Sequence, residues 1–231
     1  MDFGIILGDS FEYAKEAVVG KWKQWGLLVI ATILLCLPLL GYSLRVLRGE
    51  KPAPEVNDWG TLFLDGIKYV VVSLIWAIPA IIIFVVTIGA GVLALLQDPA
   101  VMNAGSMSLS VNPATVMGVI GGMLFGLVIF FMVAIITWFF ATIGIIRFAR
   151  TGSMGEAFNF KEILATIGKI GWGSYIIALV VLVIVMIVVE IISSLLGMIP
   201  FIGIILELVL IAPITLFEAR YLCHVYDAAS A

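Results

Sequence analysis

The sequence predicts an all-α integral membrane protein, and three observations predict it. Apolar residues make up 63% of the 231 residues and charged residues only 12%, against about a quarter charged in soluble chains. Five apolar runs, 26–44, 69–96, 114–146, 171–198 and 203–226, cover most of the chain, and runs of ~18 or more such residues read as membrane helices. The twelve Lys and Arg fall into four clusters, and both 69–146 and 170–219 are free of them. The expectation is one membrane domain over 1–231, with four full transmembrane helices, a Pro-broken re-entrant hairpin or fifth span, an N-terminal interfacial helix and two parallel internal repeats.

Residues 9–24 read as an amphipathic helix. Asp9 and Glu12 have N-cap and N3 spacing, and Phe11, Ala14, Val18, Trp22 and Trp25 recur at three- and four-residue steps. Such a helix lies in the headgroup plane. The first apolar run, 26–44, is broken by Pro38-Leu39-Leu40-Gly41. It has the same form as Pro200-Phe201-Ile202-Gly203, which separates the last two runs and must be a turn if both cross. The second run, 69–96, holds Pro79, which removes one backbone hydrogen bond and kinks a span. Residues 97–113 are a Gly, Ser, Asn and Met linker. The third run, 114–146, is longer than a bilayer requires and must tilt, bend or project. Residues 147–170 form a polar, amphipathic connection.

Basic residues flank spans on the cytoplasmic side. The linker 97–113 and the turn 199–202 then lie outside, and 45–68, 147–170 and the C-terminus lie inside. Lys15, Lys21 and Lys23 join them only if 26–44 turns back at Pro38. From Trp25 to Leu37 is about 18–20 Å of helix, short of the ~30 Å hydrocarbon core. The re-entrant reading is preferred, with both termini cytoplasmic in the cell membrane and the full crossing as the alternative.

Arg45-x-x-Arg48 and Arg147-x-x-Arg150 recur about a hundred residues apart. After each come a Gly, a polar stretch and an amphipathic segment (58–63, then 159–164), followed by Lys68 or Lys169 and a span. This predicts two parallel repeats, each with an Arg pair, an interfacial helix and a long span.

The text Gly41-Tyr42-Ser43-Leu44-Arg45-Val46-Leu47-Arg48-Gly49, with Asp58-Trp59-Gly60, Leu62-Phe63 and Asp65-Gly66, resembles a largely archaeal family of multi-pass membrane proteins, domain of unknown function 4013. Trp22-x-x-Trp25, Ile146 to Gly152 and Ala157 to Phe160 carry the same resemblance, which covers nearly the whole chain. It implies no activity, substrate or catalytic residue.

Three constellations are candidates for function. Glu190 and Glu207 are carboxylates within apolar runs, where ionisable groups are costly. They read as a proton- or cation-handling site, approaching one another across the hairpin, or as protonated side chains bonded to Ser193, Ser194 or Thr215. Gly118, Gly122 and Gly126 repeat every four residues, a spacing that lets helices approach closely. They serve an oligomer seam or packing within the chain. Arg45, Arg48, Arg147 and Arg150 suit lipid phosphates or act as topology anchors.

Other classes are excluded or unsupported. No basic arm suggests nucleic acid, and the acidic start with no cleavage site is not a cleavable signal. Cys36, Cys223 and the lone His224 carry no metal spacing, disulfide framework or triad. No catalytic site and no cofactor is expected. The expected partners are membrane lipids and a second copy, with no protein partner specified. The expectation is a non-enzymatic membrane-organising protein; the alternatives are a small transporter using Glu190 and the membrane subunit of a larger complex.

Overall fold

Backbone breaks at glycine and at a few left-handed residues divide this apolar chain into helices. The computed structural model describes residues 1–99 and 112–230, and among these it contains α-helices, one short 3₁₀ turn and no strand. The helices are α1 (Phe3–Val18), α2 (Trp22–Ile33), α3 (Leu37–Leu47), α4 (Trp59–Leu96), α5 (Pro113–Thr151), α6 (Phe160–Ile170), α7 (Trp172–Gly197) and α8 (Ile202–Asp227). The 3₁₀ turn, Met154–Phe158, joins α5 to α6. Four helices, α4, α5, α7 and α8, are long and apolar enough to cross a membrane. The linker expected at 97–113 lies mostly outside the described residues.

Several boundaries differ from expectation for local reasons. Helix α1 starts at Phe3 because the Asp2 side chain accepts hydrogen bonds from the Gly4 and Ile5 N–H groups. Asp9 is therefore mid-helix and not a cap. Gly20, at φ +78°, separates α1 from α2, so Trp22 and Trp25 belong to α2. The first apolar run breaks at Leu34–Cys36, where Leu35 and Cys36 both sit at φ +59°. Pro38 is buried in the first turn of α3, and Gly41 lies inside that helix, so neither makes the turn. Proline fits there because first-turn N–H groups have no intrahelical acceptor. Pro79 lies inside α4, which continues through it. Pro200 is in the α7–α8 turn as expected, and Gly203 follows in the first turn of α8.

The two Arg-x-x-Arg copies also diverge. In the second, Gly171 at φ +90° splits α6 from α7. In the first, Lys68-Tyr69-Val70 offers no such residue, and the segment beginning at Trp59 runs on unbroken as α4. A separate short helix thus follows only the second Arg pair.

The chain divides into two compact units, Met1–Ser73 with Thr142–Ala231, and Leu74–Ala141. In the first, α8 is the hub: α1, α2, α3, α6 and α7 all contact it. Tyr42, Tyr175, Tyr221, Ile143 and Leu216 are fully buried there. The α3–α4 crossing is close enough to require glycine. A Cβ at Gly41 would collide with the Leu62 carbonyl, and one at Gly66 with the Leu37 carbonyl. The second unit is a helical hairpin of the 74–96 and 113–141 segments. Gly126 packs on Thr87, Gly91 packs on Val119 and Met123, and Phe84 meets Phe130 at 5.8 Å.

Candidate functional site

Basic residues in mostly apolar helices need acceptors, and in the first unit they converge on three linked clusters. The first joins α1 to α8. Arg220, 5% exposed, donates from Nε to Asp9 Oδ2 at 3.1 Å. His224 Nε2 lies 2.5 Å from the same oxygen, and Lys51 Nζ is 2.9 Å from Asp9 Oδ1. The Arg220 guanidinium also lies over the Tyr13 ring, 5.2 Å from its centroid. Burial works against ionisation of Asp9, but hydrogen bonds from His224 and Arg220, with their charges, outweigh it. The carboxyl is held below its ordinary pKa.

The second cluster is a reciprocal arginine clasp. Arg48 Nε donates to the Ala149 carbonyl at 3.3 Å, and Arg150 Nε donates to the Leu47 carbonyl at 2.7 Å. Each arginine thus bonds the residue preceding the other, using carbonyls that helix C-termini leave free. Arg48 also binds Asp65 at 2.8 Å, with Lys68 at 3.5 Å from that carboxylate. Arg150 binds Asp227 at 2.6 Å and reaches Cys223 Sγ at 3.0 Å.

In the third cluster the other arginine of each pair reaches forward. Arg45 donates to Asn57 Oδ1 at 2.8 Å and to Thr61 Oγ1 at 3.0 Å. Arg147 binds Glu156 and lies 3.9 Å from Glu162. Its hydrogen bond, followed by that of Asn159, holds the Glu156 carboxyl below the usual range against a desolvation cost. Asn159 also caps α6 by accepting from the Glu162 N–H at 3.3 Å.

Each of Arg45, Arg48, Arg147 and Arg150, the residues expected at lipid headgroups, donates to a carboxylate or amide oxygen within the chain. The segment 50–57 is also held by side chains of α1, α2 and α3. Tyr13 OH donates to Glu50 O at 3.0 Å, and Tyr42 OH and Gln24 Nε2 donate to Pro54 O at 2.6 and 3.1 Å. The chain before α2 and the chain after α3 therefore touch directly.

Glu190 and Glu207 do not meet. Both are exposed. Glu207 lies over Gly197, seven residues along α7 from Glu190, or about 10 Å of helix. Glu190 opens onto a shallow groove on α7 with Ile187, Ile191, Ser194 and Met198. Thr215 donates to its own helix at the Ile211 carbonyl, 2.8 Å away. The glycine row divides as well. Gly126 packs against Thr87, whereas a Cβ at Gly118 or Gly122 would meet open space.

A family model described as "Protein of unknown function (DUF4013)" matches residues 25–198. The chain belongs to this family. The DUF4013 match includes the α3–α4 crossing and both Arg-x-x-Arg segments, and it leaves out α1 and α8, which carry the Asp9–Arg220–His224 cluster. No curated protein and no solved structure matches the chain significantly.

Spacing could not group Asp9 with Arg220, His224 and Asp227, because Asp9 lies 211 residues from Arg220 and 215 from His224 in sequence. Arg220 did carry a signal. A lone arginine in a long apolar helix demands an acceptor from elsewhere, and the acid-rich N-terminus could supply one. Glu218, half-buried beside Tyr69, is a further carboxylate that spacing does not mark. It has no ion-pair partner among the described residues.

Proposed function

We propose that this DUF4013 protein is a non-enzymatic membrane-organising protein, a rigid helical platform anchored at the cytoplasmic face. The observation that carries this reading is the reciprocal Arg48–Arg150 clasp and its flanking ion pairs. They join α3, the end of α5 and α8 into one fixed layer, as a scaffold requires. In this reading α2 and α3 form a re-entrant hairpin. Their 12 and 11 residues give about 16–18 Å each, and the contacts of Asp9 with Lys51 and Gln24 with Pro54 support placing both ends on one side. Both termini are then cytoplasmic. The reciprocal geometry of the two Arg pairs also supports two parallel repeats, and the open face at Gly118 and Gly122 supports a homo-oligomer. Reconstitution in liposomes tests the proposal. We expect no ion or solute flux and an oligomer lost on Gly122→Leu. Flux abolished by Glu190→Gln would contradict it.

A second reading, the membrane subunit of a larger complex, is favoured by one observation. Glu190 and Glu207 point outward from apolar helices, and no Lys or Arg lies between 170 and 219 to pair with either. A second copy would bring carboxylate to carboxylate there. A helix bearing a cation would satisfy them. Co-purification of such a subunit, lost in the Glu190→Gln/Glu207→Gln double variant, would favour this reading.

A further inference from the structure

The basic side chains divide into paired and unpaired ones, and Lys51 and Lys68 belong with the arginines as paired, to Asp9 and Asp65. Each of the five arginines has a carboxylate or amide acceptor within the chain. Lys21 and Lys23 have no ion-pair partner among the described residues, and both are exposed. They line a cleft of about 640 Å³ with Trp22, Gln24, Pro52 and Glu55. Two ammonium groups against the single carboxylate of Glu55 leave the cleft cationic.

Its walls are held in place from behind. On one side, Gln24 Nε2 is fixed by Pro54 O at 3.1 Å and by the Tyr42 hydroxyl at 3.3 Å. On the other, Arg45 holds Asn57, and Tyr42, fully buried, holds Pro54 at 2.6 Å. Trp22 stacks on Trp25 at 5.6 Å, and Trp25 Nε1 is anchored on Val209 O at 3.1 Å. Trp22 itself is 71% exposed. An exposed indole beside unpaired lysines, at the start of an apolar helix, is the side-chain set of the membrane–water interface.

We propose that this cleft binds the phosphate headgroup of one anionic phospholipid, with Lys21 and Lys23 on the phosphate and Trp22 along the glycerol and upper acyl chain. The inference rests on the membrane reading above and moves the headgroup contact from the arginines to the lysines. A neutral zwitterionic lipid carries a compensating cation and gains less from the two ammonium groups. The position also suits a re-entrant α2, since a lipid seated there would mark where the hairpin enters the bilayer.

Native mass spectrometry of the full chain in mild detergent tests this, with phosphatidylglycerol and phosphatidylcholine as probes. One phosphatidylglycerol should be retained in preference to phosphatidylcholine. The Lys21→Gln/Lys23→Gln variant should lose about tenfold or more of that retention, with unchanged thermal stability. The Lys161→Gln/Lys169→Gln variant, which removes the same charge elsewhere, should retain the lipid as wild type does. Equal loss in both variants, or no preference between lipids, would overturn the site. Displacement by millimolar inorganic phosphate would overturn the lipid as its ligand. Because retention is read in detergent, failure here is distinguishable from failure of the topology, which vesicle labelling reports.

Discussion

The two compact units solve the same problem with opposite means. The unit of Met1–Ser73 and Thr142–Ala231 contains every Lys and Arg of the chain and is tied by ion pairs and arginine–carbonyl bonds. The unit of Leu74–Ala141 contains no basic residue and a single acid, Asp98, buried and bonded to Thr115. It relies on close contacts at Gly91 and Gly126. Water and headgroups can solvate charges at a membrane surface, so long-range ion pairs can form and exchange there. Within hydrocarbon, association depends on van der Waals packing at small residues. The difference separates a region whose specificity is electrostatic from one whose specificity is steric.

The largest effect should come where both means meet, at the α3–α4 crossing. Gly41→Val and Gly66→Val each drive a side chain into a backbone carbonyl, which cannot rotate away. We expect each to lose more than about 3 kcal/mol, beyond ordinary overpacking, and to yield little monodisperse protein. Gly60→Val, facing open space, should express normally. Next is Arg220→Met, which leaves Asp9 and His224 without their buried cation. Breaking a buried pair costs about 3–5 kcal/mol, and partial exposure of Asp9, 35%, reduces this to about 2 kcal/mol. Thermal unfolding in mild detergent measures it, with Lys15→Met as the surface control at about 0.5 kcal/mol or less.

In the steric unit, Gly126→Leu should destabilise the hairpin by about 1–3 kcal/mol. Gly118→Leu should leave stability unchanged and alter only cross-linking between copies. The reverse ranking would mean that Gly118 packs within the chain. The smallest effect is on acidification. Asp9 has a lowered pKa in the fold, so its contribution is present above the unfolded value near 3.8 and is lost as pH falls through the still lower folded value. Limited proteolysis should release α1 only below about pH 4, and Asp9→Asn should release it at neutral pH.

The long helices were legible in sequence because apolar runs need only be counted. Both Arg-x-x-Arg pairs were legible in sequence, but not their partners: spacing reports neighbours along a helix, whereas Arg150 bonds Leu47 and Asp227 from distant segments. A break in 26–44 was legible, but Pro38 was the wrong place for it: the helices part at Leu34–Cys36. Pro38 was read as a breaker, although the first turn of a helix accommodates proline. The left-handed turn fell on Leu35 and Cys36, which have no turn signature. Gly41 and Gly66 were invisible as a pair because their partners are backbone carbonyls. The glycine repeat at 118–126 was visible, but not that a Cβ would collide with Thr87 at Gly126 and meet open space at Gly118 and Gly122.

The account depends most on α2 and α3 entering and leaving on the same side. Single cysteines at Lys15→Cys and Glu55→Cys, each in a Cys36→Ser/Cys223→Ala background, can be probed in sealed vesicles with a membrane-impermeant maleimide. Labelling of both from the same side, the cytoplasmic one, is predicted. Labelling from opposite sides would mean that residues 26–44 cross the bilayer, and would contradict the hairpin and the cytoplasmic layer built on it.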